Sequence, residues 1–180
     1  MKEERIIIAG WGGQGIMTLG GIIAYAGMRE GYHVSHIPSY GAEMRGGTAH
    51  CSVVVSEDYI GSSLVRHPNV LIMMNAPSLQ KFQPTAQQEN LIVYNASIID
   101  DTEISNDNSN CIAVPANEIA IETGNRRNAN IALLGAYVKN KSTFFSPESI
   151  DSALVTVLGR YGTDAIDQSR SALHKGMSVV

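Results

Sequence analysis

At 180 residues, 44% of them hydrophobic, the chain is long enough to bury a core as one domain without a disulfide or metal staple. A net charge of −4, with no basic cluster denser than Arg126-Arg127, argues against nucleic-acid binding. Only 17% of residues are charged, a hint of a large subunit interface, and two cysteines, Cys51 and Cys111, are too few for a cysteine-ligated iron–sulfur cluster and suit a reducing cytoplasm.

No charged leader, apolar stretch and cleavage site open the chain, so no signal peptide is expected and a cytoplasmic location is. Residues 6–28 carry no charge, but seven of them are glycine and four of those crowd positions 10–15. A helix can begin only near Gly13, which leaves too few residues before Arg29 to cross about 30 Å at about 1.5 Å per residue. The pattern is a buried strand, a turn and a buried helix, with no membrane span.

Arg5–Ala9 is a β-branched run that reads as a parallel strand. The helix after it has a stripe of Ile16, Leu19, Gly20, Ile23, Ala26 and Gly27, whose two glycines allow close approach to a sheet. Its other side carries Met17, Ala24, Tyr25 and Met28, so either the same domain or a neighbouring subunit must cover it. Gly31 ends this helix, and Tyr32–Ile37 forms a second strand closing at Pro38. Residues 39–47 form a polar, glycine-rich loop, and Thr48–Ser56 a third strand. Glu57-Asp58 turns the chain, and Tyr59-Ile60-Gly61 is a candidate antiparallel return. Val70–Met74 is a buried strand, followed by a short helix at Ser78–Phe82. Further strands fall at Leu91–Tyr94 and Cys111–Val114, on either side of the polar loop 100–110.

The last third is helical. Asn128–Lys139 carries Ile131, Leu134, Gly135 and Val138 at helical spacing. Ser146-Pro147-Glu148 reads as an N-cap, a proline at the first helical position and an acid in the first turn. That helix presents Ile150, Ala153, Leu154, Val157 and Leu158 and ends at Gly159. Thr163 is expected to cap a final helix stopping near Gly176. Strands alternating with helices imply an α/β, Rossmann-like fold in a single domain, residues 1–180, with a mostly parallel sheet and room for one antiparallel hairpin. Ligands or partners would meet the carboxyl edge of that sheet.

Two loops are candidates for that contact. Gly10, Gly12 and Gly15 fit G-x-G-x-x-G between a strand and a helix, the context in which backbone amides face a phosphate. The acid that would hold a ribose hydroxyl about twenty residues on is missing from "VSHIPS". Three readings stay open here: a dinucleotide site, glycines that only let strand and helix pack, or a loop that meets a phosphate or another subunit. The second loop, "PSYGAEMRGGTAHCSVVVS", holds an aromatic, an acid, an arginine and three glycines. A solvated Glu43–Arg45 pair would contribute only about 0–1 kcal/mol and would not need Gly46-Gly47, which suit close approach of another chain or a cofactor. His33, His36 and His50 with Cys51 match no standard zinc spacing.

Here the chain resembles the gamma subunit of the 2-oxoacid:ferredoxin oxidoreductases. The family's G-x-G-G-Q-G appears as Gly10-Trp11-Gly12-Gly13-Gln14-Gly15. Its S-Y-G-P-E-x-R-G-G appears as Ser39-Tyr40-Gly41-Ala42-Glu43-Met44-Arg45-Gly46-Gly47, with Ala42 in place of proline. Its N-x-P-S-L appears as Asn75-Ala76-Pro77-Ser78-Leu79, and "VPANEIA" and "NANIALLGA" match a late strand-to-helix segment and helix. The resemblance implies a non-autonomous subunit of an enzyme that converts a 2-oxoacid such as 2-oxoglutarate, 2-oxoisovalerate or pyruvate to acyl-CoA, CO2 and reduced ferredoxin. It implies alpha and beta partner subunits, with a delta subunit in some complexes, and ferredoxin reached through the complex; self-association is a further expectation for the isolated chain. It also implies that thiamine diphosphate, Mg2+ and 4Fe-4S clusters sit on those partners, that CoA binds in the assembled complex, and that none is held tightly by this chain alone. Tyr40, Glu43 and Arg45 are the supporting side-chain candidates. Gly10, Gly12, Gly13, Gln14, Gly15, Ser39, Gly41, Gly46, Gly47 and Asn75 are the backbone and binding candidates. A free-standing dinucleotide-binding oxidoreductase and a non-catalytic assembly module are the rival expectations.

Overall fold

The computed structural model describes residues 2–39, 49–87, 89–105, 110–140 and 144–179. In chain order the elements are β1 (Glu3–Gly10), α1 (Ile16–Arg29), β2 (His33–Ser39), β3 (Ala49–Ser56), β4 (Val70–Met73), α2 (Ala76–Phe82), β5 (Leu91–Asn95), β6 (Cys111–Val114), α3 (Ala116–Glu122), α4 (Ala129–Asn140), α5 (Pro147–Leu158) and α6 (Thr163–Met177). The six strands form one sheet in the order β2-β3-β1-β4-β5-β6. β1, β4, β5 and β6 are parallel, as their continuous apolar runs require of strands buried on both faces. β3 alone runs against its neighbours and lies between β1 and β2.

The antiparallel element is therefore β3 and not the Tyr59–Gly61 return that the sequence suggested. Tyr59 is 85% exposed and residues 59–61 form no strand. The physical reason is lack of an edge: β1 already has β3 on one side and β4 on the other. A second expectation shifts at Pro38, which does not close β2; the strand runs on to Ser39. β2 is an edge strand, the place where a missing backbone donor costs no ladder bond.

The two faces of the sheet are covered unequally. Ile6 and Ile8 of β1, both fully buried, face a core built with residues of α1, α3, α4, α5 and α6. Ile7 and Ala9 face a smaller core under α2, closed by Leu79 and Phe82. Gly20 and Gly27 of α1 make its close approach possible, as the stripe predicts. A Cβ on Gly20 would sit 2.6 Å from Cys51 Sγ and 2.7 Å from His36 Nε2, and one on Gly27 2.9 Å from Val34. α1 ends in a Schellman turn: Gly31, at φ +84°, donates to Met28 and Tyr32 donates back to Gly27. The outward side of α1 is not all covered, since Tyr25 and Met28 are 44% and 61% exposed.

The C-terminal helices depart from expectation at two caps. Ser146 caps α5 as foreseen, its hydroxyl accepting from Ser149 N–H. Gly159 ends α5 as expected, but stays right-handed at φ −54° and leads into a 3-10 turn at Gly159–Tyr161. Gly162, at φ +92°, makes the break and precedes α6, so Thr163 is the first helical residue and not a side-chain cap. α5 and α6 are tied by Arg170, which grips both oxygens of Asp151 at 2.5 and 2.8 Å. The pair is on the surface, so it contributes at most about 1 kcal/mol.

Burial holds the His36 imidazole below its ordinary pKa, and its Nε2 has no partner. The unfolded chain takes up that proton more readily. The stabilisation is therefore complete above about pH 6.5 and is lost as pH falls through the lower folded value. Thermal melts should show a smaller loss of Tm between pH 7 and pH 5 for His36→Gln than for the unaltered chain; equal losses would remove His36 from the acid response.

Candidate functional site around the first glycine loop

β1 and β4 are parallel neighbours whose following helices take opposite faces of the sheet: α1 joins the larger core and α2 the smaller. This is a topological switch point, where open α/β sheets leave a crevice at the carboxyl ends of their strands. The Gly10–Gly15 loop occupies that point. It is braced by Gln14, whose Oε1 accepts from Trp11 N–H at 2.7 Å and whose Nε2 donates to the Met74 carbonyl at 3.3 Å. Gln14 thus pins the loop to the end of β4, a role its amide suits and the sequence did not reveal.

The glycines of this loop divide into two kinds. A Cβ on Gly10 would lie 2.6 Å from Met74 Cβ and from Gln14 Oε1. One on Gly15, which sits at φ +75°, would lie 2.4 Å from Asn130 Nδ2. These two are bare because atoms of the same chain press on them. Gly12 and Gly13 have nothing within 4 Å of a built Cβ, and Gly13 adopts φ +91°. They are exposed and line a cavity of about 720 Å³.

That cavity brings together parts of the chain far apart in sequence. One wall is the loop and the first turn of α1 (Ile16, Met17 and Thr18). The first amide bonded within α1 is that of Leu19, to the Gly15 carbonyl at 2.9 Å. Among the described residues no side chain caps the helix, and its first turn carries no acid, which leaves its positive end uncompensated by them. A second wall comes from the turn before α4, the start of α4 and α6: Arg127, Asn128, Asn130 and Ser169. Arg127 stands on a 3-10 turn, Arg126–Asn128, held by Asn125 Oδ1, which accepts from the Arg127 N–H. Its guanidinium is exposed and makes no ion pair or hydrogen bond with the described residues. Trp11 and Tyr161, 47% and 56% exposed, stand at the rim. A helix start and an arginine that no described residue caps or pairs, with two bare glycines, suit an oxyanion carried on a larger body.

The remaining candidates fall in different places. Asn75 is fully buried and caps α2, its Oδ1 accepting from Ser78 N–H at 2.9 Å, while its Nδ2 is without a partner. Ser39 ends β2, paired in register with His50, and Ala49 begins β3 opposite Gly10. The chain therefore leaves and re-enters the sheet beside the first loop. Tyr40, Gly41, Glu43, Arg45, Gly46 and Gly47 lie outside the described residues. Cys51 is buried, which pushes its thiol up to about 12, so it is an inert core residue. Among the described residues no three His, Cys, Asp or Glu side chains cluster as a metal ion would require. None of the described helices is long and apolar enough to cross a membrane.

Sequence reading missed the second wall. The sequence marks Arg126-Arg127 only as its densest basic cluster, and Asn128 and Asn130 only as residues at the start of a helix. The available signal was two asparagines opening an otherwise apolar helix, "NANIALLGA", at positions that had to be buried.

Comparison with known proteins decides the family. The pattern of the pyruvate ferredoxin/flavodoxin oxidoreductase family matches residues 5–179. The chain belongs to that family. The ketoisovalerate oxidoreductase subunit VorA of Methanothermobacter marburgensis is 40% identical over 153 residues, which is 85% of this chain and 32% of VorA. The chain thus spans about a third of that relative. Two solved structures share the fold. The gamma subunit of a keto/oxoacid ferredoxin oxidoreductase from Geobacter sulfurreducens superposes with a TM-score of 0.82 at 24% identity, over 98% of this chain and 97% of that one. A 2-oxoglutarate:ferredoxin oxidoreductase from Magnetococcus marinus, solved with 2-oxoglutarate, coenzyme A and succinyl-CoA bound, gives 0.85 at 24% identity, over 99% of this chain and 31% of that one. This oxidoreductase-family domain therefore matches both chains of its own length and segments of longer ones.

Proposed function

We propose that this chain is the gamma-type subunit of a multi-subunit 2-oxoacid:ferredoxin oxidoreductase, and that its glycine-loop cavity receives the phosphate-bearing end of coenzyme A. One observation carries the assignment to the cavity: the start of α1, uncapped among the described residues, and Arg127, unpaired among them, line the same cavity at the switch point of the sheet. Phosphate oxygens would accept from the amides of Ile16, Met17 and Thr18 and from the guanidinium. Those donors are fixed by a helix and a turn, so little ordering cost remains on binding.

The overall reaction is oxidative decarboxylation of a 2-oxoacid to acyl-CoA, CO2 and reduced ferredoxin. The 40% identity to a ketoisovalerate subunit favours a branched-chain 2-oxoacid. Two cysteines cannot hold a 4Fe-4S cluster, and the described residues offer no metal cluster, so thiamine diphosphate, Mg2+ and the clusters belong to alpha, beta and delta subunits. This chain binds, orients and shields. Tyr40, Glu43 and Arg45 support the subunit junction, where Gly46 and Gly47 let backbones meet, and the complex works in the cytoplasm.

The test is the complex co-expressed with its partner subunits. Arg127→Ala should raise KM for CoA by about tenfold, the usual loss for one charge-assisted hydrogen bond, with a smaller effect on kcat. Arg45→Ala should also disturb assembly or CoA dependence. Normal assembly and unchanged CoA kinetics in both variants would overturn the assignment.

A further inference from the structure

Two side chains in the cavity wall break the rule that buried polar groups find partners. Asn128 and Asn130 are 5% and 3% exposed. Asn128 Oδ1 lies 3.3 Å from the Ser169 hydroxyl, whose one proton it shares with the Ala165 carbonyl at 2.7 Å, and its Nδ2 has no partner among the described residues. Asn130 Nδ2 donates to the Gly15 carbonyl at 3.0 Å, yet its Oδ1 has none. A half-satisfied buried amide costs stability, which an apolar side chain of similar size would avoid. Both residues line the same cavity, and the unpartnered atom is a donor in one and an acceptor in the other.

We propose that Asn128 and Asn130 form the recognition pair for the uncharged, planar part of the cavity's ligand, a group that offers a carbonyl-type acceptor next to an N–H donor. Asn128 Nδ2 donates to the acceptor and Asn130 Oδ1 accepts from the donor. This deepens the proposed function and rests on it: α1 and Arg127 take the phosphates, and the asparagines read what the phosphates are attached to. Carboxamides and the edge of an aminopurine both present that pattern. The exposed rings of Trp11 and Tyr161, which also line the cavity, suit contact with a flat group. Asn130 also couples the two functions, because the same amide holds the Gly15 carbonyl and so the start of α1.

The assembled oxidoreductase is the material for the test, with pyrophosphate, ADP and pantetheine as competitors of CoA. Asn128→Ala should raise KM for CoA about tenfold. It should weaken inhibition by either ADP or pantetheine by the same factor and leave pyrophosphate unchanged; which fragment suffers tells purine from amide. Should Asn128→Ala fail to assemble, Asn128→Asp keeps the shape and the Ser169 bond, with pyrophosphate as the baseline for its added charge. Unchanged ADP and pantetheine inhibition relative to pyrophosphate in either variant overturns the recognition pair while leaving the phosphate site intact. Absence of competition by all three fragments, together with a silent Arg127→Ala, overturns the cavity assignment itself.

Discussion

Gly176→Ala should lower stability by about 3 kcal/mol or more, the upper range for overpacking a filled core, and Tm by roughly 6–12 °C for a chain of this size. α4 and α6 cross with backbone against backbone. A Cβ on Gly176 would lie 2.0 Å from the Ala132 carbonyl oxygen, and one on Gly135 would lie 2.2 Å from that of Leu173. Neither neighbour is a side chain that can rotate away, so the helices must separate. That separation would uncover Leu133, Leu134 and Leu173 and move Ser169 away from Asn128. Gly21→Ala is the control, for Gly21 lies in α1 with nothing within 4 Å of its Cβ position. There the change should be neutral or add up to about 1 kcal/mol through helix propensity. Thermal unfolding followed by circular dichroism decides the matter; a Gly176→Ala melt within about 2 °C of the unaltered chain would contradict the close crossing.

Gly12→Leu should do the opposite, sparing the fold and blocking the site. Its side chain would enter open space on the cavity side of the loop, so Tm should stay within about 2 °C. In the assembled complex KM for CoA should rise about a hundredfold, equivalent to about 2.7 kcal/mol of lost binding. Gly15→Ala fails by a different route. It combines φ +75° with a Cβ 2.4 Å from Asn130 Nδ2, so it should lower Tm as well as CoA affinity. Steady-state kinetics beside melts for both variants separate the effects. A Gly12→Leu enzyme with unaltered CoA dependence would take the loop out of the ligand's path.

The contrast among these glycines shows how far local pattern carries. "ERIIIAGWGGQG" announces strand, turn and helix from its β-branched run and its glycines alone, and the α1 stripe correctly anticipates the close contacts of Gly20 and Gly27. The same string does not say why each glycine is there. Gly10 and Gly15 answer to Met74 and to Asn130, residues 64 and 115 positions away, while Gly12 and Gly13 answer to an open cavity. Likewise Thr48–Ser56 reads clearly as a strand, but its antiparallel place between β1 and β2 depends on which edges remain free once β4 has paired.

The sequence by itself settled the α/β class, the order of its strands and helices, and membership of an oxidoreductase family, because periodicity, caps and ordered motifs are properties of neighbouring residues. Only the tertiary structure decided that Arg127, Asn128 and Asn130 line one cavity with the first loop, that Gln14 braces it, and that α4 and α6 touch through glycines. Those are contacts between segments about 40 to 115 residues apart. Their partners are chosen by packing of the whole core, which no local pattern encodes.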